Sequence, residues 1–216
     1  MSSLVFFLDV DNTLLDNDKL KADLDRRIRT ILGPALADAF WTTYERLRGL
    51  RQVVDFPATL ASFAADHPTI PNDILYATVM TTPFRSYLYP GVDRALSYLK
   101  SIGTPVILSD GDEVFQKRKI EESGLADAVE GRVIITIHKQ AEMKTAMLRF
   151  PADHYVLVDD KPEILAHVED YCAARVTTVL VRQGRYAQQA ALPLPDIVLQ
   201  HIADITSVPR VEFTLQ

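Results

Sequence analysis

Apolar residues follow two rhythms along this chain. Leu4 to Leu8, Pro105 to Leu108, Val133 to Ile137, Tyr155 to Val158 and Val176 to Val181 are short, nearly unbroken apolar runs. Their length and their β-branched and aromatic content suit strands buried on both faces, as in a parallel sheet. Between such runs the apolar positions return at helical spacing. Val92, Ala95, Leu96 and Leu99 make one stripe, closed by Gly103, and Ile164, Leu165, Val168 and Cys172 make another. Strands alternating with helices predict an α/β fold with a parallel sheet flanked by helices.

From about Asp16 to Tyr89 the alternation stops and only helical periodicity remains. Leu20, Leu24, Ile28, Ile31 and Leu32 share a face, as do Leu36, Phe40, Thr43 and Leu47. Pro34, Pro57 and Pro71 stand where new helices can begin, so the segment divides into about four short helices. The expected organisation is a core of residues 1–15 and 89–216 with an all-helical domain, residues 16–88, inserted after the first strand. After Val181, the stretch Arg182-Gln183-Gly184-Arg185-Tyr186 reads as a turn. Beyond Pro193 and Pro195, a short edge strand at Ile197 to Leu199 and a terminal helix from about Leu199 to Ile205 are expected. No internal repeat or low-complexity tract interrupts this pattern.

Composition narrows the partners. A chain of 216 residues with 48% apolar content can bury a core, and disorder is not expected. A net charge of −6 argues against nucleic acid or an anionic membrane as partner, because both favour basic surfaces. An anionic substrate therefore needs locally arranged positive charge. Cys172 is the single cysteine, so no intrachain disulfide can form and a reducing compartment is expected. The N-terminal apolar run is too short for a signal segment, and no stretch of about 18 apolar residues exists to span a membrane. The expectation is a soluble, cytoplasmic protein.

Chemistry gathers where the apolar runs end. Leu4 to Leu8 leads into Asp9-Val10-Asp11-Asn12-Thr13, and strand ends of a parallel sheet face the crevice where ligands bind. Ser109-Asp110-Gly111 follows the second run, offering a hydroxyl and a glycine that permits close backbone approach. His138-Lys139 follows the third. Lys144 competes with Lys139 as the functional lysine, but Lys139 directly follows the strand while Lys144 lies more than a helical turn further on. His138 is assigned no role. Asp159-Asp160 follows the fourth run, and adjacent carboxylates repel unless a cation compensates them; Asp160 before Lys161-Pro162-Glu163 also suits a helix N-cap.

With these four motifs in this order and a helical insert after the first, nearly the whole chain resembles the haloacid dehalogenase (HAD) superfamily. The likeness is to its phosphatase-like branch with a C1-type helical cap. It implies a Rossmann-like core and Mg2+-dependent hydrolysis of a small phosphorylated metabolite. By that resemblance Asp9 is the nucleophile that forms an aspartyl-phosphate, and Asp11 is the acid and base. Thr13 supports their loop, Ser109, Asp110 and Gly111 hold the phosphoryl oxygens, and Lys139 neutralises charge. The implied metal ligands are Asp9, Asp160 and the backbone carbonyl of Asp11, with Asp159 behind them or orienting Lys139. Asp11 favours phosphate esters over halide displacement, since a halide needs no proton. A phosphomutase, a non-turnover phospho-aspartate switch and a phosphate-binding protein are the alternatives. In the insert, Phe40 to Arg51 carries aromatics and arginines, from which Arg48 is singled out as a candidate substrate contact.

Overall fold

The computed structural model describes residues 3–51, 54–172, 175–190 and 193–214. Six strands form one parallel sheet: β1 (Leu4–Leu8), β2 (Thr104–Asp110), β3 (Val133–Thr136), β4 (His154–Asp159), β5 (Val176–Val181) and β6 (Ile197–Leu199). Their order is β3-β2-β1-β4-β5-β6. Chain order reverses at β1, so a crevice opens beyond its carboxyl end, between the ends of β2 and β4.

All five residues of β1 are buried, as a strand covered on both faces requires. Leu4, Phe6 and Leu8 join one hydrophobic cluster, and Val5 and Phe7 join the other. Phe6 meets Phe213 edge-on at 5.1 Å, while Phe7 stacks on Tyr155 of β4 at 5.8 Å. The second cluster is closed by α8 (Lys139–Arg149) and α9 (Pro162–Cys172), through Met143, Ala146, Ile164, Leu165 and Val168. Cys172 ends α9, and its side chain lies outside the described residues.

Between β1 and β2 run α1 (Asn17–Leu32), α2 (Pro34–Arg51), α3 (Phe56–Asp66) and α4 (Asn72–Met80). A 3-10 turn (Phe84–Tyr87) and α5 (Val92–Ile102) lead back to the sheet. Asp16 caps α1 by accepting the Lys19 N–H at 2.8 Å, and Asp55 caps α3 by accepting that of Ala58 at 2.7 Å. Gly33, at φ 76°, ends α1, and Pro34 starts α2. These helices share the first hydrophobic cluster with the sheet. Phe56 of α3 lies 4.5 Å from Phe115, the first residue of α6 (Phe115–Glu122), which packs beside α7 (Leu125–Ala128). Among the described residues no helix is long and apolar enough to cross a membrane.

Four elements differ from the sequence reading. β2 and β4 run on through Ser109, Asp110 and Asp159, because these polar residues continue the backbone ladder. β3 stops at Thr136, and Ile137 is exposed. The terminal helix expected from Leu199 to Ile205 is instead a 3-10 segment, Ile202–Ser207, followed by another, Arg210–Thr214. Ile202 and Ile205 are both buried, a spacing of three that suits a 3-10 turn, and Pro209 blocks continuation.

Candidate active site

Asp9 extends β1 by donating its N–H to Val158 O at 3.0 Å, which carries its carboxylate to the place where β4 ends in Asp159 and Asp160. The chain then turns sharply. Leu14 and Leu15 both donate to Val10 O at 2.9 Å, and Asn12 adopts φ 61°, a left-handed conformation that asparagine tolerates. The Asn12 side-chain oxygen accepts the N–H groups of Asn17 and Asp18 at 3.1 and 3.2 Å, so the turn is fastened to the start of α1. From the other side, Gly184 at φ 63° packs so tightly that a Cβ there would sit 2.5 Å from Asn12 Cγ. Gln183 donates to Thr13 O at 3.2 Å.

Lys139 opens α8 and is fully buried. Its ammonium contacts Asp9 Oδ1 and lies 2.8 Å from Asp159 Oδ2. The lysine's backbone N–H donates to Asp110 Oδ1 at 2.8 Å, which ties the end of β2 to the start of α8. Thr13 donates its hydroxyl to Asp9 Oδ2 at 3.3 Å. Asp159 also accepts the Lys161 N–H at 2.9 Å. The structure thus brings Lys139 to Asp9, whereas Lys144 lies exposed on α8. Ser109 is buried, and its hydroxyl accepts from Gln116 Nε2 at 2.9 Å. Gly111 spends its N–H on Thr136 O at 2.9 Å, so its contribution is close approach, with Gln116 side-chain carbons 2.6 Å from where a Cβ would stand.

The electrostatics divide the acids. Burial raises the Asp9 carboxyl to about 6, against the lowering pull of Lys139. Burial, reinforced by Asp159 and Asp9, pushes Asp160 up to about 9. Burial alone lowers the Lys139 ammonium, but Asp159 and Asp9 outweigh it and the net shift is upward. Both carboxylate oxygens of Asp160 are buried without a hydrogen-bond partner. A buried acid in that condition is costly unless it is protonated or binds a cation. One oxygen from each of Asp9, Asp159 and Asp160 lies within 4.8 Å of the others, an all-oxygen set that suits a hard divalent cation. The Asp11 carboxylate stands apart from this set.

Asp11 is held by a residue the sequence did not point to. Lys119, buried on α6, donates to Asp11 Oδ1 at 2.7 Å and to Asn17 Oδ1 at 3.2 Å. The Asp11 side chain remains 28% exposed, facing a cleft of about 310 Å³. That cleft is also lined by Lys161 and His138 of the core and by Lys21, Arg48 and Arg185. Arg48 pairs with Glu45 at 3.2 Å.

A carboxylate at the mouth of the central strand, clamped by a buried lysine and joined by two further acids, stands at the switch point of an α/β sheet, where ligands bind in such folds. The model of the haloacid dehalogenase-like hydrolases matches residues 4–173, and the chain belongs to that family. It is 39% identical to a protein from Burkholderia xenovorans LB400 described as a haloacid dehalogenase-like hydrolase, with TM-score 0.90 and both chains fully covered. The fold is also shared with L-2-haloacid dehalogenase from Xanthobacter autotrophicus, solved with chloropropionic acid covalently bound. There the identity is 16% and the TM-score 0.59, over 96% of this chain and 98% of that one. CbbY from Rhodobacter sphaeroides, solved with phosphate, matches at 14% identity and TM-score 0.62 over both whole chains. No curated protein matches the sequence.

Proposed function

We propose that the protein is a Mg2+-dependent phosphatase that hydrolyses a small phosphomonoester through an aspartyl-phosphate on Asp9. The observation that carries this reading is the cation cradle of Asp9, Asp159 and Asp160, in which the Asp160 carboxyl has no hydrogen-bond partner among the described residues. A carboxylate attacking an anionic phosphoryl group needs positive charge at the point of approach; displacement of halide from carbon does not. These acids, with the Asp11 carbonyl as a further ligand, would hold Mg2+, which would supply that charge and stabilise the transferring phosphoryl group.

The chain's own groups do the rest. Lys139 keeps Asp9 ionised, and Thr13 orients it through the second carboxylate oxygen. Attack by Asp9 on phosphorus forms the acyl phosphate and breaks the bond to the ester oxygen, which takes a proton that Asp11 carries on Oδ2, the oxygen Lys119 does not contact. Asp11, now a carboxylate, removes a proton from water; that water attacks phosphorus, releasing inorganic phosphate and restoring Asp9. The Ser109 hydroxyl, which accepts from Gln116, donates its O–H to a phosphoryl oxygen, and Asp110 fixes Lys139 from behind. In this reading residues 16–88 act as a cap that excludes water and contacts the leaving alcohol through α1 and α2.

The test is Mg2+-dependent phosphate release from a panel of small phosphomonoesters, with Asp9→Asn protein as the blank. Metal-dependent release that vanishes in the variant supports the proposal. Phosphate moved between positions of one substrate without release indicates a mutase, and a stable phospho-Asp9 without turnover indicates a switch.

A further inference from the structure

We infer that the cleft contains a second anion subsite, built by Lys21, Arg48 and Arg185, and that the substrate is a phosphomonoester whose leaving alcohol carries a further carboxylate or phosphate. This rests on the phosphatase reading above. The three cations come from separate elements: Lys21 from α1, Arg48 from α2, and Arg185 from the 3-10 turn Gly184–Tyr186 after β5. All three line the cleft that holds Asp11. They are additional to Lys139, whose ammonium is committed to Asp9 and Asp159, so the transferring phosphoryl group has its own counter-charge.

Two of the three cations are ion-paired and the third is not. Arg185 is anchored by Asp18, which takes its Nε at 3.0 Å and Nη2 at 2.8 Å, and Arg48 leans on Glu45. Among the cleft acids, Asp11 is bound by Lys119 and Asp110 accepts the Lys139 N–H; Glu163 sits at the start of α9. Lys21 makes no ion pair among the described residues; its ammonium rests 4.5 Å from the centroid of the Tyr44 ring. Burial, then Arg185 and Arg48, push it down to about 8, with Glu45 and Asp11 opposing more weakly. A partly buried ammonium lining the same cleft as two guanidiniums is a poor arrangement for a free protein and a good one for receiving an anion. On a chain of net charge −6 such a grouping is local, which points to a ligand rather than to a generally basic surface.

The experiment compares ethyl phosphate with 2-phosphoglycolate and with ethylene glycol bisphosphate, using the full chain with Mg2+. A charge-assisted contact predicts kcat/KM about ten- to a hundredfold higher for one of the esters with two anionic groups than for ethyl phosphate. Which of the two leads tells carboxylate from phosphate. The preference is expected to shrink in Lys21→Met, which keeps the apolar stem, and independently in the exposed Arg48→Gln. Equal rates in the unmodified protein, or a preference untouched in both variants, overturn the subsite. Calorimetric binding of 3-phosphonopropionate against propylphosphonate gives a readout without turnover. Tighter, Lys21-dependent binding of the former with no ester cleaved keeps the subsite and removes the phosphatase. Esters cleaved without discrimination do the reverse, and absence of both binding and cleavage removes both.

Discussion

Replacing Lys139 by methionine tests the electrostatic account of the site most severely. The lysine side chain is 1% exposed and sits between Asp9 and Asp159, themselves 3% and 0% exposed at the side chain. Methionine fills most of the volume, so little cavity forms; the loss is the charge that compensates buried carboxylates. Breaking a buried ion pair from one side costs about 3–5 kcal/mol, which for a chain of this length lowers Tm by about 6–20 °C. The sign with pH follows from Asp9. Its folded pKa is already raised to about 6 from 3.8, and losing the lysine, which pulls it down, raises it further. The folded variant therefore takes up a proton as pH falls, in a range where the unfolded chain does not, and folding is favoured by acid. The assay is thermal unfolding of both proteins in chelator at pH 8 and pH 5, where the deficit is expected to be smaller at pH 5. A Tm loss under about 2 °C, or a deficit that does not change with pH, would refute the reasoning.

Three other outcomes follow from the same geometry. Because the Asp160 carboxyl lies up at about 9, an incoming cation must displace its proton, so Mg2+ affinity is expected to rise with pH towards that value. Mg2+ at about 100 times its Kd then raises Tm by about 5–11 °C, and Asp160→Asn abolishes the shift without destabilising the metal-free protein at pH 7; calorimetric titration and melting curves check both. Gly184→Ala combines positive φ with a clash against Asn12 and is expected to cost about 2–4 kcal/mol in denaturant unfolding, with phosphate release falling at the same time. Phe56→Ala removes a ring that packs on Trp41, Tyr44 and Phe115, at a cost of about 3–5 kcal/mol by urea denaturation.

What was legible in the sequence was whatever depended on local pattern. β1 and β5 have the bounds their apolar runs predict, and the prolines at 34, 57 and 71 mark helix starts because a fixed φ acts locally. α6 was not legible: Phe115 to Glu122 is mostly charged, and its buried residues include Gln116 and Lys119, which no hydrophobic rule selects. Among the candidate site residues, Asp9, Asp159 and Asp160 stand at strand ends and Lys139 just beyond the end of β3, and the sheet brings such positions together. Lys119 lies 108 residues from Asp11 and depends on how α6 crosses the loop, which a single sequence does not encode in any short window. Arg185 was read as part of a turn, because its place beside Lys21 and Arg48 follows from β5 lying two strands from β1.

The wedge of Gly184 against Asn12 sets an order of assembly. Asp9 and Asp11 are synthesised well before Gln183 and Gly184, which hold the turn that aims them; Gln183 lies 170 residues beyond the Thr13 it binds. A nascent chain has these carboxylates long before it has the brace that aims them, so their turn takes its final shape only when β5 and the turn after it dock. The same brace lies outside the 4–173 span that the family model matches. A transplant of that span alone would carry the acids and leave their aim behind.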